Sequence, residues 1–296
     1  MKRILVTGVS GFLGRYIATA LMHQYTVLGT YCSHATGLDT AEVTRLDLTD
    51  AQTVHATFTA FRPDVVVHAA ALADVDVCEQ HPSAAYEVNV RGTEAIAHAT
   101  GAVGARLIYI STDQVYDGDK GYYDEADAPH PLMVYGRTKL EGEHRAGEIC
   151  HDTVILRLAL LYGWGISTRP NFVDSLVTRL RAGQEMLLFV DQYRSPLFVV
   201  QAAEVIGRLI NAPVARATFN LGGGERLNRY EFGLKCCEIF DLTKALLRPI
   251  EMGHIKGLAA RPPDCSMNSA QISARLQIVP LAVEEGLRRM QQQRVS

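Results

Sequence analysis

Tyr135 and Lys139 lie four residues apart in the segment VYGRTKLEGE, residues 134–143. On a helix this spacing turns both side chains to one face. A free phenol titrates near 10 and is a poor acid or base at neutral pH, whereas an ammonium beside it favours the charged form and lowers that value. The spacing therefore predicts that Tyr135 exchanges a proton with a substrate carbonyl or alcohol oxygen, with Lys139 as its tuner. The same pair also occurs on solvated helix faces, so its surroundings must carry the distinction. Upstream, a core-strand pattern ends in Ser111, Thr112 and Asp113, at the carboxyl edge where open α/β sheets bind ligands. A hydroxyl there can hydrogen-bond the reacting oxygen.

A second constellation lies at residues 4–15, ILVTGVSGFLGR: an apolar run, then Gly8, Gly11 and Gly14, then an apolar helical pattern. Glycines allow the tight turn and let backbone approach a pyrophosphate, which sits against the positive end of the helix dipole. The spacing is Gly-x-x-Gly-x-x-Gly, distinct from the broader Gly-x-Gly-x-x-Gly fingerprint. The loop, with Ser10, Phe12 and Leu13 between its glycines, is the candidate dinucleotide site. In such folds an acidic residue about 20 positions on holds the adenosine ribose of NAD. Here the stretch runs Gly29, Thr30, Tyr31, Cys32, Ser33, His34, and no carboxylate appears before Asp39. That leans toward NADP with NAD still open, Tyr31 and Ser33 lying at the adenosine end and Ser33 and His34 available as donors. No arginine occupies the stretch, and Ser33 and His34 also read as plain loop residues.

These residues need a scaffold. Residues 3–7, 26–30, 64–69, 106–111 and 153–158 are nearly continuous apolar runs, as strands buried on both faces should be. Helical patterns fall between them at 12–23, 51–61, 84–102 and 134–149. The alternation predicts βαβ units and an α/β, Rossmann-type doubly wound parallel sheet. Beyond about residue 160 the rhythm changes to shorter elements, with helices at 172–182, 201–211 and 229–240. Asn228 and Glu231 give the last a capping box. The expected organisation is a dinucleotide-binding domain over 1–160 and a smaller, mixed α/β substrate-binding region over 161–296, partly interleaved with it.

Composition narrows the class. Of 296 residues 48% are apolar and 21% charged, and 29 Lys and Arg against 32 Asp and Glu leave a net charge of −3, without the basic excess that nucleic-acid binding needs. No apolar run reaches the roughly 18 to 20 residues of a membrane span. The three glycines of the N-terminal run, with no cleavage site after it, argue against a signal peptide, so a soluble cytoplasmic protein is expected. The six cysteines are scattered without CxxC pairs. The ten histidines lack HxxxH or HExxH spacing, and no metal is expected. Cys236 and Cys237 read as core, and Ser10 lacks the frame of a nucleophile elbow.

Taken together, TGVSGFLG from Thr7, Asp47–Leu48, HAAA from His68, Asn89, ISTDQVYDG from Ile110 and YGRTK from Tyr135 resemble the extended short-chain dehydrogenase/reductase family. Within it, STDQVYDG, PLMVYGRTKLEGE, DQYRSP and the pair Arg261–Pro262 are most similar to the dTDP-4-dehydrorhamnose reductase group. The resemblance implies a nucleotide-sugar substrate, a small molecule, with Thr112 polarising its carbonyl, Tyr135 as acid, and Lys139 anchoring the nicotinamide ribose. It implies cofactor contacts at Gly8, Gly11, Gly14, Asp47, Leu48, Ala69, Ala70, Ala71, Asn89 and Ser111. On the substrate side it implies Ser111, Thr112, Asp113, Asn171, Gln192 and Arg194. A guanidinium at Arg194 suits a diphosphate. It also suggests a homodimer.

Two departures matter. Leu160 stands where the sugar reductases carry an aromatic residue for the sugar ring, and Arg15 stands where some carry a magnesium-binding glutamate. LRLALLYG, residues 156–163, also resembles the regulatory β subunit of methionine adenosyltransferase. Two classes therefore stay open: an NADP-dependent reductase of a nucleotide-linked keto-deoxysugar, and a cofactor-binding regulatory subunit without turnover. A nucleotide-sugar epimerase is a third.

Overall fold

The computed structural model describes residues 1–33, 42–165, 170–255 and 259–293; His34 and Asp39 lie outside them. Six strands of the first half, β1 (Arg3–Thr7), β2 (Thr26–Tyr31), β3 (Glu42–Arg45), β4 (Val65–His68), β5 (Arg106–Thr112) and β6 (Thr153–Leu158), join a strand from the second half, Ala217–Leu221. The seven form one sheet in the order Ala217–Leu221, β6, β5, β4, β1, β2, β3, and every neighbouring pair is parallel. This is the doubly wound sheet expected from the apolar runs.

Alternation along each strand divides the core between the two faces of the sheet. Ile4, Val6, Val67, Ile108, Val154 and Leu156 pack on one side with Ile17, Ile206 and Leu209. Leu5, Val66, Leu107 and Tyr109 pack on the other with Phe58, Ile96 and Ala146. A separate cluster holds the second half together, with Tyr162, Leu176, Leu180, Leu188, Phe232 and Leu287 at its centre. The register aligns Thr7 with His68 and His68 with Tyr109, so the ends of β1, β4 and β5 lie along one carboxyl edge. The connections leave β1 toward β2 on one side and reach β4 on the other, which makes the β1–β4 crevice the topological switch point.

The helix expected over 84–102 is present and starts at Pro82, with a π-helical turn inside it. Pro82–Tyr86 leads into a π-helical turn, Glu87–Arg91, and then Gly92–Ala102. Gly92 lies against Leu48, where a methyl group would stand 2.9 Å from the Leu48 Cβ, and Asn89 is tied outward to other elements. The capping box is present as expected: Glu231 N donates to Asn228 Oδ1 and Asn228 N to Glu231 Oε2, each at 2.8 Å.

Candidate active site

The glycine loop closes on the crevice. Gly8 adopts φ 74°, a left-handed conformation that glycine takes without strain. Its N–H and that of Val9 donate to Thr30 O at 2.8 and 3.0 Å. A methyl group on Gly8 would stand 2.8 Å from Ala70 Cα, and one on Gly14 would overlap the Gly8 carbonyl. Gly11 caps the helix Phe12–Leu21 with extended backbone and no side-chain bond, so the helix N-terminus is presented by backbone alone. Across the crevice, Thr7 Oγ1 accepts from Ala69 N and Ala70 N at 3.1 Å and pairs with His68 Nδ1 at 2.8 Å. Burial pushes His68 down to about 3, with Lys139 adding to the effect, so the imidazole is neutral. This cradle of backbone and small residues fits a dinucleotide pyrophosphate.

At the adenosine end, hydrogen bonds from Thr49 hold the exposed Asp47 carboxyl below its usual range, and Leu48 is buried. Tyr31 is half-buried at the end of β2, facing Arg45 on β3. The exposed Arg45 leans back to donate from Nε to Cys32 O at 3.1 Å. An arginine absent from the linear stretch after β2 is thus delivered beside it by the next strand, 12 residues past Ser33 in the chain.

The groups that the sequence analysis expects to react lie near the end of β5. Thr112 Oγ1 donates to Asp113 Oδ1 and accepts from Gln114 N, both at 3.2 Å, starting the 3-10 turn Asp113–Val115. The helix Val134–Ile149 brings Tyr135 and Lys139, 9% and 2% exposed, to this turn. Its first N–H, on Val134, donates to Glu79 Oε1 at 2.6 Å. The expectation for Tyr135 is corrected here. Its phenol is pushed well up by burial and by Asp113, with Thr112 the opposing partner, and Lys139 does not dominate it. Removing a phenolate from water costs more than the lysine returns. Lys139 itself is pushed down to about 7 by burial, against the pull of Glu143, and its Nζ lies 4.0 Å over the Tyr109 ring. A phenol that keeps its proton at neutral pH is suited to giving it to a developing alkoxide.

Beside this pair is a cavity of about 130 Å³, lined by Val75, Asp113, Gln114, Leu160, Gln192, Arg194, Arg229 and Arg261. Arg194 Nε approaches Asp113 Oδ2 at 3.4 Å, and its other nitrogens donate to Tyr193 O and Pro262 O. Arg229 Nε donates to Gln192 Oε1 at 2.9 Å. Burial and the Arg194 and Arg261 charges push Arg229 down to about 9, although Asp113 opposes them. Arg261 pairs with Asp76 at 2.9 Å. Burial raises the Asp113 carboxyl, with Arg194 the main opposing charge, and its Oδ2 has no hydrogen bond. Three guanidiniums and the Asp113 carboxyl thus line one small space. Gln192, Arg194 and Asp113, which the resemblance assigns to the substrate side, line this one cavity. Arg229 is not legible from the sequence, being the residue just after a helix cap. Leu160 does line the cavity, in place of an aromatic ring.

Other expected contacts fall behind the site. Asn171 caps the helix Phe172–Arg181, accepting from Val173 N and Asp174 N and donating to Gly163 O at 2.7 Å; its side chain is spent on the fold. Asn89 donates to Leu72 O and Thr138 Oγ1 and accepts from Leu72 N, and so ties the cofactor-side loop to the helix of Tyr135. Ser111 donates to Glu143 Oε1 at 2.5 Å. Glu143 is gripped by Arg157 through bonds of 2.6 to 3.2 Å, and Arg157 reaches Tyr116 Oη at 2.9 Å. Among the described residues no cluster of three His, Cys, Asp or Glu is arranged to hold a metal, and no helix is long and apolar enough to cross a membrane.

The sequence profile of the RmlD substrate binding domain matches residues 1–295. A methionine adenosyltransferase 2 subunit beta from Bos taurus is 32% identical over 277 residues, 92% of this chain and 81% of that one. A probable low-salt glycan biosynthesis reductase, Agl14, from Haloferax volcanii is 31% identical over 95% of each chain. The crystal structure of dTDP-4-dehydrorhamnose reductase from Bacillus anthracis in complex with NADP superposes with a TM-score of 0.86 at 26% identity, covering 99% of each chain.

Proposed function

The chain belongs to the RmlD substrate-binding domain family, and on that premise we propose that it is an NADP-dependent reductase of a nucleotide-linked keto-deoxysugar. The observation that carries the reading is the burial of Tyr135, its phenol pushed up by that burial and by Asp113, with Asp113 in turn lining an arginine-lined cavity.

The Gly8–Gly14 loop and the open N-terminus of helix Phe12–Leu21 hold the pyrophosphate. Asp47 accepts from the adenine amino group, and Arg45 with Ser33 meets the 2′-phosphate. Lys139 holds the nicotinamide ribose. The bound cofactor supplies the hydride. Thr112 hydrogen-bonds the substrate carbonyl, and Tyr135 Oη gives its proton to the same oxygen as negative charge develops there. Arg194, Arg229 and Arg261 take the diphosphate of the nucleotide sugar.

A second reading, a cofactor-binding regulatory subunit, is favoured by Leu160 in the cavity and by the 32% identity to a methionine adenosyltransferase subunit. The discriminating experiment follows NADPH absorbance across a panel of keto-sugar nucleotides. Turnover with one of them supports the reductase. Tight NADPH binding with no turnover on any of them decides for the regulatory subunit.

A further inference from the structure

We propose that His68 is a positioning residue: fixed as its Nε2–H tautomer, it joins the cofactor loop to the helix of Tyr135 through one directed line of hydrogen bonds. The inference rests on the reading of Gly8–Gly14 as the cofactor loop and of Tyr135 as the acid.

Counting donors assigns the tautomer. A threonine hydroxyl has two lone pairs and one proton. On Thr7 the lone pairs are taken by Ala69 N and Ala70 N, both at 3.1 Å. Only the proton is left for His68 Nδ1, 2.8 Å away, so Nδ1 accepts and carries no hydrogen. The other side of the ring gives the same answer independently. Thr93 Oγ1 gives its proton to Asn89 O at 2.7 Å, and therefore accepts from His68 Nε2 at 3.1 Å. An imidazolium, with a donor at Nδ1, does not fit against Thr7. Burial favours the same neutral form.

The line continues past the ring. Asn89, in the π-helical turn Glu87–Arg91, donates from Nδ2 to Thr138 Oγ1 at 3.0 Å, and Thr138 Oγ1 donates to Tyr135 O at 3.0 Å. Every donation runs the same way, from β1 toward the helix Val134–Ile149, and along Thr7, His68 and Thr93 each bond strengthens the next. Thr7, His68, Asn89, Thr93 and Thr138 are all buried, so a broken link leaves a polar group that water does not reach. At the head of the line, Thr7 precedes Gly8, and Gly8 itself lies against Ala70. At its foot is the backbone of the residue that carries the phenol. Strand pairing fixes Thr7 beside His68; these side chains carry that placement on to the helix.

Two measurements test it, and the first needs no ligand. In protein labelled with 15N-histidine, long-range proton–nitrogen correlation distinguishes a protonated ring nitrogen from a bare one, and His68 is assigned among the ten histidines by its loss in His68→Gln. The expected pattern is hydrogen on Nε2 and none on Nδ1; the opposite tautomer, or an imidazolium at pH 7, overturns the proposal.

The second measurement breaks the line behind the site. Thr93→Val keeps the volume and removes the acceptor, whereas Thr93→Ser loses the methyl group and keeps the hydroxyl. In Thr93→Val, hydrogen exchange at the Ala69 and Ala70 amides is expected to quicken about tenfold or more and kcat to fall about tenfold, while Thr93→Ser stays near wild type in both. A role in packing alone gives the reverse order, because valine fills the space and serine does not. That reverse order, or wild-type behaviour in a folded Thr93→Val, also overturns the proposal. Should Thr93→Val not fold, Thr138→Val breaks the line nearer Tyr135, with Thr138→Ser as its rescue, and is held to the same order. A protein that shows the tautomer and the exchange pattern but reduces no keto sugar sinks the reductase reading alone, and an active enzyme without them sinks only the role of His68.

Discussion

The α-carbon of Gly136 lies so close to the backbone carbonyl of Gln114 that a methyl group on it would overlap the oxygen, and would also stand 2.9 Å from Pro131 Cβ. The glycine beside Tyr135 thus sets the distance between the helix that carries the phenol and the turn that carries Thr112 and Asp113. Alanine in a helix is ordinarily favoured over glycine by about 1 kcal/mol. Here Gly136→Ala is expected to do the opposite, lowering the thermal midpoint and cutting kcat by roughly tenfold to 100-fold through misplacement of the reacting groups. Calorimetry and steady-state rates check both; a more stable, fully active variant contradicts the close contact.

Tyr135→Phe removes the proposed proton donor and little of the packing. The rate of NADPH oxidation is expected to fall about 100-fold or more, the scale of a lost general acid, while NADPH affinity measured by fluorescence stays close to wild type. Near-normal turnover would remove Tyr135 from the chemistry.

Asp113 gives a prediction in pH. Burial raises its carboxyl above the unfolded value, so the folded protein binds that proton more tightly than the unfolded chain does. Stability therefore falls as pH rises through the interval between the two values, and the ionised group remains a cost above it. Asp113→Asn, which imitates the protonated acid, is expected to raise the thermal midpoint at pH 7 and to lose that advantage as pH falls to about 4. Its turnover should drop, since the cavity loses its carboxylate. A midpoint difference that grows toward acid pH would contradict the sign.

The proposed meeting of Arg45 with the 2′-phosphate can be tested on the choice of cofactor. Arg45→Ser is expected to weaken NADPH binding by about tenfold, or about 1.4 kcal/mol, and to leave NADH binding nearly unchanged, because only the former carries the 2′-phosphate. Equal losses for both would place the guanidinium elsewhere.

Much of this arrangement can be read along the chain. Strands buried on both faces announce themselves as unbroken apolar runs; Gly8 and Thr112 sit at the ends of two such runs, and Tyr135 and Lys139 lie on the helix between the runs of β5 and β6. The rest depends on partners far away in sequence. That Asn171 and Asn89 are bound into the fold, and that the Ser111 proton points to Glu143, follows from neighbours no local pattern names. Arg45 and Arg229 are not legible for the same reason: one arrives from an adjacent strand, the other from the first residue of the helix that Asn228 caps. The Tyr135 phenol went the other way from the sequence expectation because spacing reports a charge nearby and is silent about how much water has been removed.

The strand Ala217–Leu221 has a consequence for how the molecule can be divided. It pairs with β6 over five residues, and its Asn220 accepts from the Tyr116 hydroxyl at 3.1 Å. A fragment cut at residue 160 would keep the glycine loop and the Tyr135 helix yet leave β6 as a bare hydrogen-bonding edge, a template for strand-to-strand aggregation. The two halves are thus no more exchangeable as genetic modules than two staves of one barrel, and a chimera that swaps substrate ranges has to carry this strand along with the first half.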